Sequence, residues 1–284
     1  MRHVLVVLAA VLCPFLALPA RAAERKPNVL FILVDDLGYG DLGTFFQNAR
    51  RDAKAGPAHA TPNIDALAEG GVKLTRHYCP APVCAPSRAS LMLGVHQGHA
   101  NVRDNQFDKA LEDNHTIASV LRRAGYHTGA IGKWGLQGAG KNAKGPADWP
   151  AYPLNRGFDD YYGYVRHADG HEHYPKEGVH RGKKEVWDNK TEVSAGLDKC
   201  YTTDLFAARA KHWIAEHATA TPGKPFFLYL AFDTPHAVLS VPTGAYPAGA
   251  GLKGGLQWVG KPGEMINTAT GTPDSFIHPD YAKT

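Results

Sequence analysis

An α/β layered domain with a largely parallel sheet is the fold class this sequence predicts, and three observations carry the prediction. Apolar runs of strand length stand at 28–34, 126–131 and 225–232. Amphipathic helical segments lie between them, and strands alternating with helices build layered α/β domains. The chain of 284 residues is long enough to bury a sizeable core, while its 30 Gly and 20 Pro indicate many loops. In such sheets chemistry gathers at the carboxyl ends of the strands.

Taken in order, residues 1–22 carry a basic start (Arg2, His3), an apolar run from Val4 to Leu18 and the small-x-small sequence Ala20-Arg21-Ala22. That pattern predicts a secretory signal peptide; Pro14 and Pro19 interrupt it and it is short for a bilayer span, so no stable membrane anchor is expected. Cys13 follows Leu12, not a small residue, so no lipoprotein site is read. The continuous run Asn28 to Val34 predicts a strand buried on both faces, closed by Asp35-Asp36. Thr61-Pro62-Asn63 marks the start of a short helix, and Val72 to Thr75 reads as a second strand. Pro86 restricts the residue before it and opens a helix-compatible Ser-Arg-Ala-Ser-Leu-Met-Leu, which puts Cys84 at a helix N-terminus. His115 to Ala124 has apolar residues at helical spacing and stops at Gly125. The strand from Tyr126 to Ile131 runs into Gly132-Lys133-Trp134. Residues 203–217 form a further amphipathic helix, and Pro225 to Phe232 a further buried strand. The stretches 137–157 and 167–199 read as long surface loops or insertions, and 240–275 is Gly/Pro/Thr-rich without periodicity.

A formal net charge of +4, smaller once Arg2 and Arg21 are removed with the leader, gives no footprint of a nucleic-acid binder. An exported compartment permits disulfides, and Cys79 and Cys200 are a possible pair. Cys84 fits neither usual cysteine role: metal-binding thiols have partners at short spacing, and structural ones sit in apolar runs. At a helix N-terminus its surroundings favour an anion. Asp35 and Asp36 would repel each other unless a cation lay between them, and a hard divalent ion with oxygen ligands suits that place. Lys133 and His236 each follow a predicted strand, where a lysine and a histidine reach the carboxyl-end crevice.

Cys84-Ala85-Pro86-Ser87-Arg88 resembles the Cys-x-Pro-Ser-Arg signature of the sulfatase family. Asp35-Asp36-Leu37-Gly38 resembles its opening Asp-Asp-x-Gly motif, while Gly132-Lys133-Trp134 and Thr234-Pro235-His236 resemble two later ones. The resemblance extends through Tyr152 to Asp159 and covers nearly the whole mature chain. It implies an alkaline-phosphatase-like three-layer sandwich, with residues 23–284 as the N-terminal part of the catalytic domain, truncated before its C-terminal part. It implies hydrolysis of a sulfate ester by a formylglycine made from Cys84, with calcium in preference to magnesium held by Asp35, Asp36 and the modified Cys84. Arg88 is implied to support the formylglycine, and Lys133 and His236 to bind the sulfate. The implied partners are a sulfated small molecule or glycan and, during maturation, a formylglycine-generating enzyme; the implied compartment is periplasmic or extracellular.

The chain departs from the common family pattern at Gly135, where many members have a histidine, and His96 or His99 is a candidate to stand in. The family's later Asp-Asn pair and second lysine are not found. Asp104-Asn105, Asp113-Asn114 and Asp188-Asn189 occur, but none is read as following a buried strand. The other readings are a phosphodiester or phosphonate ester hydrolase with the same nucleophile, and a noncatalytic binder of sulfated glycans.

Overall fold

The computed structural model describes residues 25–105, 109–139, 143–176, 182–197 and 200–237. The predicted leader and the stretch 240–275 lie outside the described residues. Six strands form one sheet: β1 (Val29–Asp35), β2 (His127–Lys133), β3 (Asp160–Tyr164), β4 (Val186–Asp188), β5 (Thr191–Glu192) and β6 (Phe226–Pro235), in the order β1-β6-β2-β3-β4-β5. The first four of that row are parallel, and β4 and β5 are antiparallel. Helices α1 (Asn48–Asp52), α2 (Pro62–Glu69), α3 (Cys84–Leu93), α4 (Ile117–Arg123) and α5 (Thr202–Ala220) complete the described elements together with short 3-10 and π turns.

The three layers follow from the period of two along β6. Phe227, Tyr229 and Ala231 face one core with Ala85, Ala89 and Met92 of α3 and Ala118 of α4. Phe226, Leu228 and Leu230 face the other, with Phe206, Ala210 and Trp213 of α5. A central strand that is apolar on both faces is what a parallel sheet between helix layers requires. Glycines let the neighbouring backbones close up. A Cβ at Gly132 would lie 1.9 Å from the Ala231 carbonyl oxygen, and its φ of +108 is one that side chains avoid.

Local signals explain the helix ends. Thr116 caps α4, accepting from the Ser119 amide at 3.0 Å, and the chain leaves α3 through Gly94 in the left-handed region.

Several expectations are corrected. Strand β1 lies at the sheet edge, where Leu30 is 45 % and Ile32 49 % exposed, so among the described residues only one of its faces is packed. Val72 to Thr75 is not a strand; Val72 and Leu74 are exposed and no described strand pairs with them. The described parts of 137–157 and 167–199, read as surface loops or insertions, are not solvated throughout. Trp149, Ala151 and Tyr152 are buried in the first, and His167, Asp169, His171, Glu172 and His173 in the second, which also carries β4 and β5. Asp188-Asn189 does end a strand, β4, but that strand runs antiparallel and delivers the pair to the amino end of the parallel strands, where Asp188 meets Arg209. Cys79 is exposed, Cys200 is buried and no disulfide joins them. No helix among the described residues is long and apolar enough to cross a membrane.

Candidate active site

The carboxyl ends of β1, β6 and β2 lie side by side, and each delivers one charged or titratable group. Asp35 ends β1 and Lys133 ends β2, while His236 follows β6 directly. Helix α3 points its N-terminus at the same place. Its first residue is Cys84, and Arg88, one turn on, lies on the same helix face. Asp35 is the hub. Its Oδ2 accepts from Lys133 Nζ at 2.6 Å and from Arg88 Nη2 at 2.9 Å, and its Oδ1 lies 3.5 Å from Cys84 Sγ. All three charged groups are buried.

Burial at this depth favours neutral forms, and the ion pairs oppose it. For Asp35 burial alone would raise the pKa, but the Arg88 and Lys133 charges outweigh it and hold the carboxyl well below the usual range. Burial, aided by repulsion from Arg88, pushes the Lys133 ammonium down despite Asp35. Burial also raises the Cys84 thiol, so it is a protonated thiol at neutral pH and a weak nucleophile as it stands. His236 is pushed down by burial and by Lys133, which leaves a neutral imidazole.

Asp36 takes the left-handed conformation, φ 64. It is 60 % exposed and stands 3.6 Å from His236 Nε2. The repulsion expected between the adjacent carboxylates is relieved in part by the protein's own cations, Lys133 and Arg88, on Asp35. Ligand atoms of Asp35, Cys84 and His236 lie within 4.8 Å of one another. Beside them an open cleft of about 190 Å³ is lined by Asp35, Asp36, Cys84, Ser87 and Arg88, with Cys79 at its edge.

As a place for a hard cation, the donor set fits in kind and falls short in number. The carboxylates of Asp35 and Asp36 are suitable oxygen donors, whereas calcium takes six to eight oxygens.

Lys133 does not project into an open crevice; its side chain is fully covered. The cover comes from the segment after β3. A Cβ at Gly170 would fall 2.4 Å from Lys133 Cδ, so the backbone there lies directly on the lysine stem. His167 packs against Gly135, with Nδ1 3.2 Å from where a Cβ of Gly135 would stand. Burial together with the Lys133 and Arg88 charges lowers its pKa to about 3. The His171 ring faces His167 edge-on at 5.1 Å and stacks on His236 at 4.5 Å. Gly170, His167, His171 and His173 are therefore site residues that the motifs do not contain; the recurrence of histidine at 167, 171 and 173 is the one signal in the sequence that marks them. His96 and His99 are not brought to the site. They are exposed and follow the far end of α3, whose 10 residues separate them from Cys84 by roughly 15 Å of helix rise.

The sulfatase family profile matches residues 27–252. Human arylsulfatase D is 41 % identical over 155 residues, covering 51 % of this chain and 24 % of that protein. Arylsulfatase G of Canis lupus familiaris is 31 % identical over 261 residues, covering 81 % of this chain and 45 % of that protein. Among solved structures, Ps i-CgsB superposes with a TM-score of 0.60 at 30 % identity, covering 77 % of this chain and 47 % of that one. A second structure of Ps i-CgsB, in complex with k-i-k-neocarrahexaose, gives 0.57 at 29 %. The chain thus spans less than half the length of these relatives. With a profile that runs from β1 past β6, through every strand end that forms the site, the chain belongs to the sulfatase family.

Proposed function

We propose that this chain is the N-terminal part of an exported hydrolase of sulfate esters, in which Cys84 is the precursor of a formylglycine and Asp35 and Asp36 hold part of a calcium site. The observation that carries the reading is the position of Cys84: first residue of a buried helix, beside an Asp35 already paired to Arg88 and Lys133. A buried, protonated thiol is poorly suited to attack, while the same side chain oxidised to the aldehyde and hydrated supplies a hydroxyl nucleophile. The cation, when bound, supplies charge stabilisation for the sulfuryl oxygens.

The chain's own residues do the rest. Arg88 and Lys133 fix Asp35 and offset its charge beside Cys84, so the buried carboxylate does not repel an incoming anionic group and little reorganisation is needed. An ammonium has three N–H donors and Asp35 takes one; with the side chain fully covered, Lys133 acts on a sulfuryl oxygen at Cys84 through its charge. His236 Nδ1 donates to the Ala237 carbonyl, so in the neutral ring Nε2 is an acceptor, and it meets an anionic substrate oxygen as a donor once the ring takes up a proton. The sulfated substrate is a carbohydrate on this reading. What supports it is the resemblance to Ps i-CgsB, whose complex holds a neocarrahexaose.

The test is made on the full-length protein from a host that has the formylglycine-generating enzyme. An aldehyde-reactive probe with peptide mass spectrometry is expected to label Cys84 and neither Cys79 nor Cys200. Rates on an aryl sulfate are expected to exceed those on an aryl phosphodiester. An unmodified thiol with preferential phosphodiester cleavage would overturn the proposal; ligand retention without turnover would make the protein a binder.

A further inference from the structure

His236 lies just past the end of β6, and groups from β6 itself, from α5 and from the segment after β3 surround it. Asp233 and Thr202 are 0 % exposed and His173 is 1 % exposed. His173 Nδ1 lies 3.0 Å from Asp233 Oδ2, and its Nε2 lies 2.9 Å from the backbone carbonyl oxygen of His236. A carboxylate and a carbonyl both accept, so both ring nitrogens donate. The carboxylate is held in turn by the Thr202 hydroxyl, at 3.0 and 2.8 Å from its two oxygens. The Thr202 amide donates to the His173 carbonyl at 2.9 Å, which ties the first turn of α5 into the same unit. Two residues before His173, the His171 ring lies flat on the His236 ring, 4.5 Å between centroids and 6° between planes.

Burying a carboxylate and an imidazolium costs free energy unless every donor and acceptor is used. Here they are used on a single product, the position of the His236 peptide. We infer that His173, backed by Asp233 and Thr202, is a positioning residue that fixes His236 against the substrate, with His171 restricting the rotation of the ring. This rests on the reading that His236 meets the substrate anion.

The experiment is a double-mutant cycle on the full-length converted enzyme, reading kcat/KM with an aryl sulfate. His173→Gln retains one amide donor in place of two ring donors. Its rate is expected to fall about tenfold to a hundredfold, as supporting residues of a site do. In a His236→Ala background, the same His173→Gln change is expected to cause no further loss. His171→Ala, which leaves the buried ion pair intact, is expected to show the same non-additivity, and Asp233→Asn/His173→Gln removes both charges together should the single variant fail to fold. An equal loss with and without His236, or a full rate for the His173 variants, would overturn the inference and leave the functional reading intact. A wild-type rate for His236→Ala would overturn both.

Discussion

Asp35 is the residue on which the site turns, because one buried carboxylate oxygen accepts from two cations contributed by a helix and a distant strand. Removing Arg88 would leave that carboxylate with Lys133 alone, and breaking a buried pair destabilises by about 3 kcal/mol. Arg88→Met is expected to lower the stability measured by denaturant unfolding by that amount; a change under about 1 kcal/mol would show that Lys133 suffices. The pH dependence follows from the direction of the Asp35 shift. Its folded pKa lies below its unfolded value, so its stabilisation is present above the ordinary carboxylate range and is lost as pH falls through the folded pKa. Arg88→Met brings the folded pKa of Asp35 back toward its unfolded value, so the variant is expected to lose less stability than the wild type as pH falls below about 4, where unfolded carboxylates titrate. Gly170 carries a second residue-scale prediction. Its φ of −75 is open to any residue, so alanine strains no backbone, yet the added Cβ meets Lys133 Cδ at 2.4 Å. Gly170→Ala is expected to displace the ammonium and cut kcat/KM at least about tenfold, approaching the 10²–10³-fold loss expected of Lys133→Ala. A wild-type rate for Gly170→Ala would show that the lysine does not need its cover.

Elements were legible to the extent that burial is signalled by apolar residues. Strands β1, β2 and β6 read as strands from their apolar runs, and the Pro86 signal placed α3 so that Cys84 falls on its first residue. Strands β3 to β5 were not legible. Asp160 to Tyr164 is short and tyrosine-rich, and β4 and β5 together span five residues inside a segment dominated by His, Lys, Asp and Glu. That segment reads as solvated because polar residues usually are. Here they are buried because they satisfy one another, Arg166 pairing with Asp169 and His173 with Asp233, and a partner distant in sequence cannot be read locally. The converse failure is Val72 to Thr75, whose alternation is right for a strand but which no described strand accepts as a neighbour. A prediction at this scale concerns the seam between β2 and α5, where a Cβ at Gly129 would lie 2.8 Å from the Trp213 ring. Gly129→Ala forces ring or helix to move in a packed interior and is expected to cost about 1–3 kcal/mol in thermal or denaturant unfolding. No loss would mean that the seam is loosely packed.

For the whole molecule, topology gathers residues from positions 35 to 236 at one end of a parallel sheet, and the four motifs meet because β1, β6 and β2 are neighbours. That gathering also sets the charge the site presents to a metal. Two carboxylates, Asp35 and Asp36, face two cations, Arg88 and Lys133, so these four charges cancel and their summed field offers a divalent ion little attraction. One oxygen of Asp35 already accepts two hydrogen bonds, and Asp36 is largely hydrated, so the free donors fall well short of six to eight. Residues 23–284 prepared alone are therefore expected to bind calcium no more tightly than about millimolar, at the weak end of the protein range, and to hydrolyse aryl sulfates negligibly. The full-length protein, if later residues supply the missing oxygens, is expected to bind at least a hundredfold more tightly, and Asp36→Asn to weaken both. Calorimetric titration of calcium into the two proteins, with an aryl-sulfate assay alongside, measures each quantity. Micromolar binding with sustained turnover by residues 23–284 would show that the ligand set closes within this chain, and that Lys133 yields Asp35 to the metal.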